Sequence, residues 1–268
     1  MKLSTATEQL SRAGIEDARF EARVLFREFA GFSDSELYGG DCESDSSELM
    51  RAIERRIKRE PLQYIIGEVD FYRERYKVTP DTLIPRFDTE ILVQEVIKRL
   101  PCASRFIDIC TGSGCIALSV LNNTKETCGT ALDISEKALA VARENAERLS
   151  LSERIEFIEA DALLGAAEGK FFAVISNPPY VTEKAYESLM PEIYFEPKIA
   201  FVGGEDGLVF YRKIISLYEN SLEVGGFFAF EIGYDQAQAL TSIANEHSMK
   251  CEIINDYSGN PRVAILKR

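Results

Sequence analysis

The sequence offers little from which to build a zinc site. It has one histidine, His247, and its six cysteines, at positions 42, 102, 110, 115, 128 and 251, include no C-x-x-C pair. Free thiols in a reducing compartment are the expectation. No apolar stretch approaches the roughly 20 residues that cross a bilayer. The opening M-K-L-S-T-A-T-E-Q-L lacks the apolar core of a signal peptide, so a cytoplasmic protein with no membrane partner is expected. Basic charge is scarce too. A formal net charge of −13 argues against a phosphate-tracking surface, and no direct nucleic-acid partner is expected. The basic residues that do cluster, Arg51, Arg55, Arg56, Lys58 and Arg59, are interrupted by acidic ones at helical spacing and read as a solvated helix face. An acidic surface suits a basic protein partner.

What the chain does have is apolar residue, 46% over 268 positions, enough for one large domain or two smaller ones. Residues 1–62 read as a small helical module. A-R-F-E-A-R-V-L-F-R-E-F-A places Phe20, Val24, Leu25 and Phe29 on one face, and D-S-S-E-L-M-R-A-I-E-R-R-I repeats Leu49, Ile53 and Ile57 behind capping residues. Ser33 to Asp45 between them is a mostly polar connection. Residues 63–82 carry β-branched and aromatic residues around a charged turn and predict a hairpin connector. A helix should start near Asp88, with Lys98-Arg99 at its end.

Residues 83–268 then form the third segment, an α/β domain. R-F-I-D-I-C, T-C-G-T-A-L-D, R-I-E-F-I-E-A-D, F-F-A-V-I-S-N and G-G-F-F-A-F-E-I-G alternate with helical stretches, and C-E-I-I-N-D and R-V-A-I-L-K-R close the chain. These seven strands predict an open, mostly parallel sheet with helices on both faces. The stretch 181–206, with Pro191, Pro197 and Gly203-Gly204, is a long irregular connection of the kind that is often functional.

The first of these strands runs into Asp108-Ile109-Cys110-Thr111-Gly112-Ser113-Gly114-Cys115 just before a helix. Gly112 and Gly114 let the backbone turn tightly and approach a ligand at a helix N-terminus. Gly-Lys-Ser/Thr, the mark of a phosphate loop, is absent. Ala117 stands where a dinucleotide loop would have its third glycine, a tolerated change, so a nucleoside ligand and a plain strand-to-helix turn both stay open. Asp133, ending the second strand, is placed either to accept both hydroxyls of a ribose or to start a helix. Asp161, ending the third, is placed either at an adenine edge or as an N-cap. In doubly wound sheets all these positions meet at the C-terminal edge of the strands.

Asn177-Pro178-Pro179-Tyr180 ends the fourth strand at the same edge. Proline gives no N–H to a sheet and holds the residue before it extended. The Asn177 side-chain oxygen and the Pro178 carbonyl are then fixed acceptors, suited to the two protons of a planar –NH2 group, and Tyr180 supplies a face for that plane. A rigid strand-ending turn would explain the prolines but not the flanking Asn and Tyr.

D-x-x-T-G-S-G-C-I-A followed by N-P-P-Y resembles the class I S-adenosylmethionine methyltransferases that act on planar amides and amines. P-L-Q-Y-I-I-G-E-V-D-F-Y, I-P-R-F-D-T-E, E-P-x-x-A-F-V-G-G-E-D-G-L, Y-R-K-I and F-E-I-G-Y-D-Q extend the likeness over nearly the whole chain, to the release-factor glutamine methyltransferases of HemK/PrmC type. The resemblance implies a Rossmann-like sheet with S-adenosyl-L-methionine as cofactor and S-adenosyl-L-homocysteine as product. The implied substrate is the glutamine amide of peptide chain release factors, and the implied enzyme is a monomer. It puts the cofactor against Asp108, Cys110, Thr111, Gly112, Ser113, Gly114, Asp133, Asp161, Ala162 and Asn177. The substrate amide falls to Asn177, Pro178, Pro179 and Tyr180, of which Asn177, Pro178 and Tyr180 would be catalytic. Arg86, Asp88 and Glu90 fall near the pocket without an assignable role. Ribosomal-protein glutamine methylation, adenine-N6 methylation of nucleic acid and a non-catalytic nucleoside-binding module are the rival readings. Three departures from the family pattern stand out: Cys110 where glycine is usual, Phe87 where proline is usual, and a small Ala162.

Overall fold

Apolar residues at helical spacing draw the N-terminal part of the chain into a bundle of its own. The computed structural model describes residues 1–165 and 167–268. It divides into one unit of Met1–Glu68 with Met190–Phe195, and another of Val69–Leu189 with Glu196–Arg268.

In the first unit, α1 (Leu3–Arg12), α2 (Ala18–Ala30), α3 (Asp34–Gly39), α4 (Ser47–Ile57) and α5 (Leu62–Ile66) enclose a core of Leu10, Leu25, Phe26, Leu49 and Ile53. Helix α3 lies inside what reads in sequence as a polar connection. Its start is a capping box, in which Ser33 and Glu36 bond each other's backbone amides, so a stretch with one buried leucine still forms a turn and a half. Phe20 departs from the expected face: it is 61% exposed, while Val24 and Leu25 are buried. Residues 63–66, expected to enter the hairpin, belong instead to helix α5, which ends at Gly67 in the left-handed conformation.

The basic cluster of α4 is not simply a solvated face. Arg56 is 5% exposed, with Nε donating to Glu21 at 2.5 Å and Nη1 to Glu192 at 3.0 Å. Arg59 donates to the Gly14 carbonyl at 2.6 Å and to Glu192 at 2.8 Å. Glu192 belongs to a 3-10 turn, Pro191–Phe195, and its two arginine contacts hold that distant piece of chain in the helical unit. Helical periodicity recorded the spacing of these arginines but not the carboxylates brought to them from elsewhere.

The second unit starts with a hairpin, β1 (Glu68–Phe71) and β2 (Glu74–Lys77), followed by α6 (Thr89–Arg99). Then come β3 (Arg105–Ile109), α7 (Cys115–Asn122), β4 (Cys128–Asp133), α8 (Glu136–Arg148), β5 (Ile155–Glu159) and β6 (Phe171–Ser176). The long connection contains one short helix, α9 (Glu183–Tyr186), before α10 (Val209–Tyr218), β7 (Leu222–Glu231), α11 (Ala237–Glu246), β8 (Lys250–Asn255) and β9 (Pro261–Lys267). Among the described residues the large sheet has seven strands in the order β5-β4-β3-β6-β7-β9-β8. Neighbours are parallel from β5 through β7, and β9 runs antiparallel to both β7 and β8.

Alternation along the strands sorts the side chains to two cores. Phe227 and Ala229 of β7, with Val263 and Ile265 of β9, pack under α6, α7 and α8. Phe228 and Phe230, with Ala264 and Leu266, pack under α10 and α11. The strand order reverses between β3 and β6, where Ile109 is registered with Ser176. Cys110 and Asn177 therefore leave the sheet side by side, at the place where such sheets bind ligands. No helix among the described residues is long and apolar enough to cross a membrane.

Removing Arg56 strands the partly buried carboxylate of Glu21 and leaves Glu192 to Arg59 alone, so Arg56→Ala should lower stability by about 3 kcal/mol, the low end for a broken buried pair. Urea denaturation measures this. A loss below about 1 kcal/mol would mean that Glu21 is solvated without its arginine and that Arg59 alone suffices for Glu192.

Candidate active site

A cleft of about 510 Å³ opens at the C-terminal edge of β3, β4 and β6, lined by Cys110, Gly112, Asp133, Asp161, Ala162, Asn177 and Pro179 among others. It lies wholly within the second unit. The sequence reading placed these seven together, and the fold does so as well.

The glycine loop is shaped by positive φ angles. Gly112 has φ +56° and Gly114 φ +79°. Cys110 also sits in the left-handed region at φ +62°, where a side chain costs roughly 1 kcal/mol over glycine. The two glycines differ in use. Gly112 N donates to Asp133 Oδ2 at 2.8 Å and lines the cleft. Gly114 packs on α8, where an added Cβ would lie 3.0 Å from that of Ala142. Ser113 is buried and faces away from the cleft, its carbonyl accepting from Asn145 Nδ2 at 2.9 Å. Asn145 also exchanges bonds with the Lys77 backbone at 2.8 and 3.0 Å, tying the hairpin to the loop. Nothing in its helical, mostly polar neighbourhood singled it out in sequence.

Two carboxylates lie under the loop. Asp133 accepts from Gly112 and, at 3.0 Å, from Ser135, and burial raises its pKa despite those amides. Asp108 is fully buried in β3. Its Oδ2 accepts from the Thr111 hydroxyl at 2.6 Å while Oδ1 has no hydrogen-bond partner. Burial pushes Asp108 up to about 7, against the pull of the Thr111 hydroxyl and the Ala117 amide, with Asp133 adding repulsion. The Asp108 carboxyl does not line the cleft, so a cationic group bound beside the loop would act on it through space. Asp161 both lines the cleft and caps a turn, accepting from Leu163 N at 2.8 Å.

Across the cleft, Asn177 is half-buried and Pro178 and Pro179 are buried. The chain after Tyr180 pairs with the end of the long connection: Val181 N donates to Phe201 O at 2.8 Å and Gly203 N to Val181 O at 2.9 Å. Gly203 is needed for that approach, since a Cβ there would stand 2.3 Å from the Pro179 oxygen. Gln236 Nε2 joins the Tyr180 and Gly207 carbonyls, each at 3.2 Å, and its oxygen accepts from Gly233 N at 2.9 Å. The Tyr180 hydroxyl turns away from the cleft to Glu231 Oε1 at 3.2 Å, and burial drives its pKa far up, so it stays a phenol.

The three residues without a role in sequence now have structural ones. Arg86 pairs with buried Glu196, which also accepts from Ile84 N at 2.9 Å. Asp88 meets Arg262 at 3.3 Å, and Glu90 accepts from Tyr72 N at 2.9 Å in the hairpin turn. Thr89 and Glu231 escaped notice in sequence. Thr89 donates to Glu231 Oε2 at 2.5 Å and accepts from Asn177 Nδ2 at 3.4 Å. The available signal was the charge itself: an acidic residue in the apolar run F-F-A-F-E-I has to find partners inside the fold.

This strand order, with a glycine loop facing Asn-Pro-Pro-Tyr across the switch point, defines a methyltransferase. Residues 86–201 match the methyltransferase small domain family, and residues 2–67 the PrmC N-terminal domain family. The fold is shared with the ribosomal protein L11 methylase of Lactobacillus delbrueckii subsp. bulgaricus, at TM-score 0.53 and 20% identity over 71% of this chain and 83% of that one. Two release factor glutamine methyltransferases narrow the class. The one from Caulobacter vibrioides is 36% identical over 98% of this chain and 93% of its own length, and the one from Moorella thermoacetica 37% identical over 99% and 97%. The chain belongs to the release factor glutamine methyltransferase family.

Because Gly203 lies against backbone, its neighbours cannot yield as a side chain would. Gly203→Ala should lower the melting temperature by several degrees and speed amide exchange at Val181 and Gly203. Unchanged exchange at those two amides would show that the Pro179 carbonyl is free to move.

Proposed function

We propose that this protein transfers a methyl group from S-adenosylmethionine to the side-chain amide nitrogen of the glutamine in the Gly-Gly-Gln motif of peptide chain release factors. The observation that carries the reading is Asn177, which lines the cleft directly after β6, where Ser176 is in register with Ile109 just before the glycine loop. Residues 1–62 are then the docking module, 63–82 the connector and 83–268 the catalytic domain.

The residues present fit the cofactor. Asp133 keeps lone pairs for ribose hydroxyls, Asp161 and Ala162 border room for an adenine, and the Asp108 carboxyl lies buried behind the glycine loop with Oδ1 unbonded. When bound, S-adenosylmethionine supplies a methyl group on positively charged sulfur and departs as S-adenosylhomocysteine. The chain's own part is positional. An amide nitrogen is a poor nucleophile because its lone pair is delocalised into the carbonyl. Accepting its two protons at Asn177 Oδ1 and the Pro178 carbonyl raises electron density on nitrogen and fixes its direction. Such positioning supplies at most about 7–11 kcal/mol. The same oxygens oppose the positive charge that develops on nitrogen. Methylation of the neutral amide nitrogen would leave a cation acidic enough to give its extra proton to water, and the reading asks for no basic side chain. His247, at the end of α11, is occupied with Glu219 at 2.9 Å.

The test offers labelled S-adenosylmethionine to a purified release factor, to its Gln→Ala version and to duplex DNA. Label on the intact factor alone is expected, and Asn177→Ala should lose at least about a hundredfold in rate while still binding cofactor. Label on DNA would mean that the amine of adenine, not an amide, is the acceptor.

Cofactor binding should also carry a proton signature. A cation beside Asp108 favours its ionised form, so the pKa falls from about 7 on binding and a proton leaves near neutrality. Affinity should therefore rise from pH 6 to pH 8, by about tenfold. Calorimetry in buffers of different ionisation enthalpy reads the proton directly, and Asp108→Asn should abolish the dependence.

A further inference from the structure

We propose that Glu231 and Thr89 are positioning residues that decide which end of the Asn177 amide faces the substrate. The inference deepens the amide-transfer reading and rests on it for its purpose, though not for its geometry.

An asparagine side chain has two ends of nearly equal size and opposite polarity, one accepting and one donating two protons. Only one orientation is useful against a substrate –NH2. Packing discriminates weakly between them, so hydrogen bonding has to. The chain of contacts starts at Glu231, on the last position of β7 and 2% exposed. An ionised carboxylate accepts and never donates. Its Oε2 lies 2.5 Å from Thr89 Oγ1, and its Oε1 lies 3.2 Å from the Tyr180 hydroxyl. Thr89, at the start of α6, is equally buried, at 2%. Its hydroxyl has one proton, and that proton is committed to Glu231. What remains on Thr89 Oγ1 is lone pair, and the group 3.4 Å away is Asn177 Nδ2. Asn177 must therefore turn its –NH2 toward Thr89, which leaves Oδ1 at the opposite end of the planar amide.

The polarity runs one way through three residues from three separate elements. It follows from the acceptor-only carboxylate, without appeal to the shape of the cleft. One carboxylate also holds both flanks of the Asn-Pro-Pro-Tyr turn, Asn177 through Thr89 and Tyr180 directly. The Thr89–Asn177 contact, at 3.4 Å, is the longest link of the chain. Burial raises the Glu231 pKa. Thr89, Arg262 from β9 and the Tyr180 hydroxyl lower it, and Asp88 before α6 opposes them. If the carboxyl were protonated or replaced by an amide, Thr89 would be free to donate to Asn177, and the amide could turn its –NH2 to the substrate.

Two readouts test this. The side-chain amide signals of Asn177 in a 15N–1H spectrum, identified by their loss in Asn177→Ala, require no methyl acceptor. They should shift in Thr89→Val, which keeps the side-chain shape without the hydroxyl, and in Glu231→Gln. They should stay close to wild type in Thr89→Ser. Steady-state kinetics on the release factor should show Thr89→Val losing about 10–100-fold in kcat, with cofactor affinity and KM within about threefold. Thr89→Ser should restore most of the rate. Wild-type signals in Thr89→Val would overturn the proposal. An equal rate loss in the Ser and Val variants, or a loss that lies in cofactor affinity, would overturn it too. If the wild-type protein labels no glutamine, the functional reading fails, and the Asn177 signals still decide whether Thr89 and Glu231 orient the amide.

Discussion

A strand that has to stop is the constraint from which the site follows. Strand β6 runs buried through the middle of the sheet and then meets Pro178 and Pro179, which have no N–H to continue a ladder. The backbone leaves the sheet extended, at the edge where β3 also leaves it. Its carbonyls must then be met by something other than a neighbouring strand. The Phe201–Gly207 stretch does this, together with Gln236, and it reaches them because Gly203 and Gly207 have no Cβ to collide with the Pro179 and Tyr180 oxygens. The long connection that follows the prolines is in this sense part of the same device.

Two acidic residues inside the sheet are the second theme. Asp108 and Glu231 sit in strands whose neighbours are aliphatic and aromatic, and burial raises both pKa values. A buried carboxyl destabilises a fold unless its oxygens are met. Glu231 is met by Thr89 and Tyr180, and Arg262 lies close enough to act on its charge. Asp108 is met on one oxygen only. The contrast separates the two: the completed network around Glu231 fixes neighbouring groups in place, whereas the Asp108 carboxyl keeps one oxygen unbonded. The raised pKa of Asp108 also has a sign for stability. Its contribution is present below the unfolded value and is lost as pH rises through about 7, so the ligand-free fold gains nothing from ionising it.

Within the helical unit, charge does a different job. Arg56 and Arg59 share the carboxylate of Glu192, a residue more than 130 positions away along the chain. A buried arginine is tolerable there because two carboxylates face it with good geometry. The turn at Pro191–Phe195 thereby belongs to the helical unit of the N-terminal residues, although its sequence neighbours on both sides belong to the sheet unit.

The sequence by itself determined the order of strands and helices in the sheet domain, because strand and helix periodicities differ and the buried strands are short, mostly apolar runs. It also determined the meeting of Cys110, Gly112, Asp133, Asp161 and Asn177, since the ends of parallel strands in a doubly wound sheet share one edge whatever the packing above them. Only the tertiary structure decided the partners of the charged residues. Arg56 reads as solvent-facing until Glu21 and Glu192 arrive, Arg86 and Asp88 have no role until Glu196 and Arg262 do, and Thr89 is an ordinary helix-start residue until Glu231 lies behind it. The physical reason is range. Hydrophobic periodicity is written in residues three or four apart, whereas an ion pair or a hydrogen bond is fixed by a distance of about 3 Å between groups that the chain brings together from anywhere along its length.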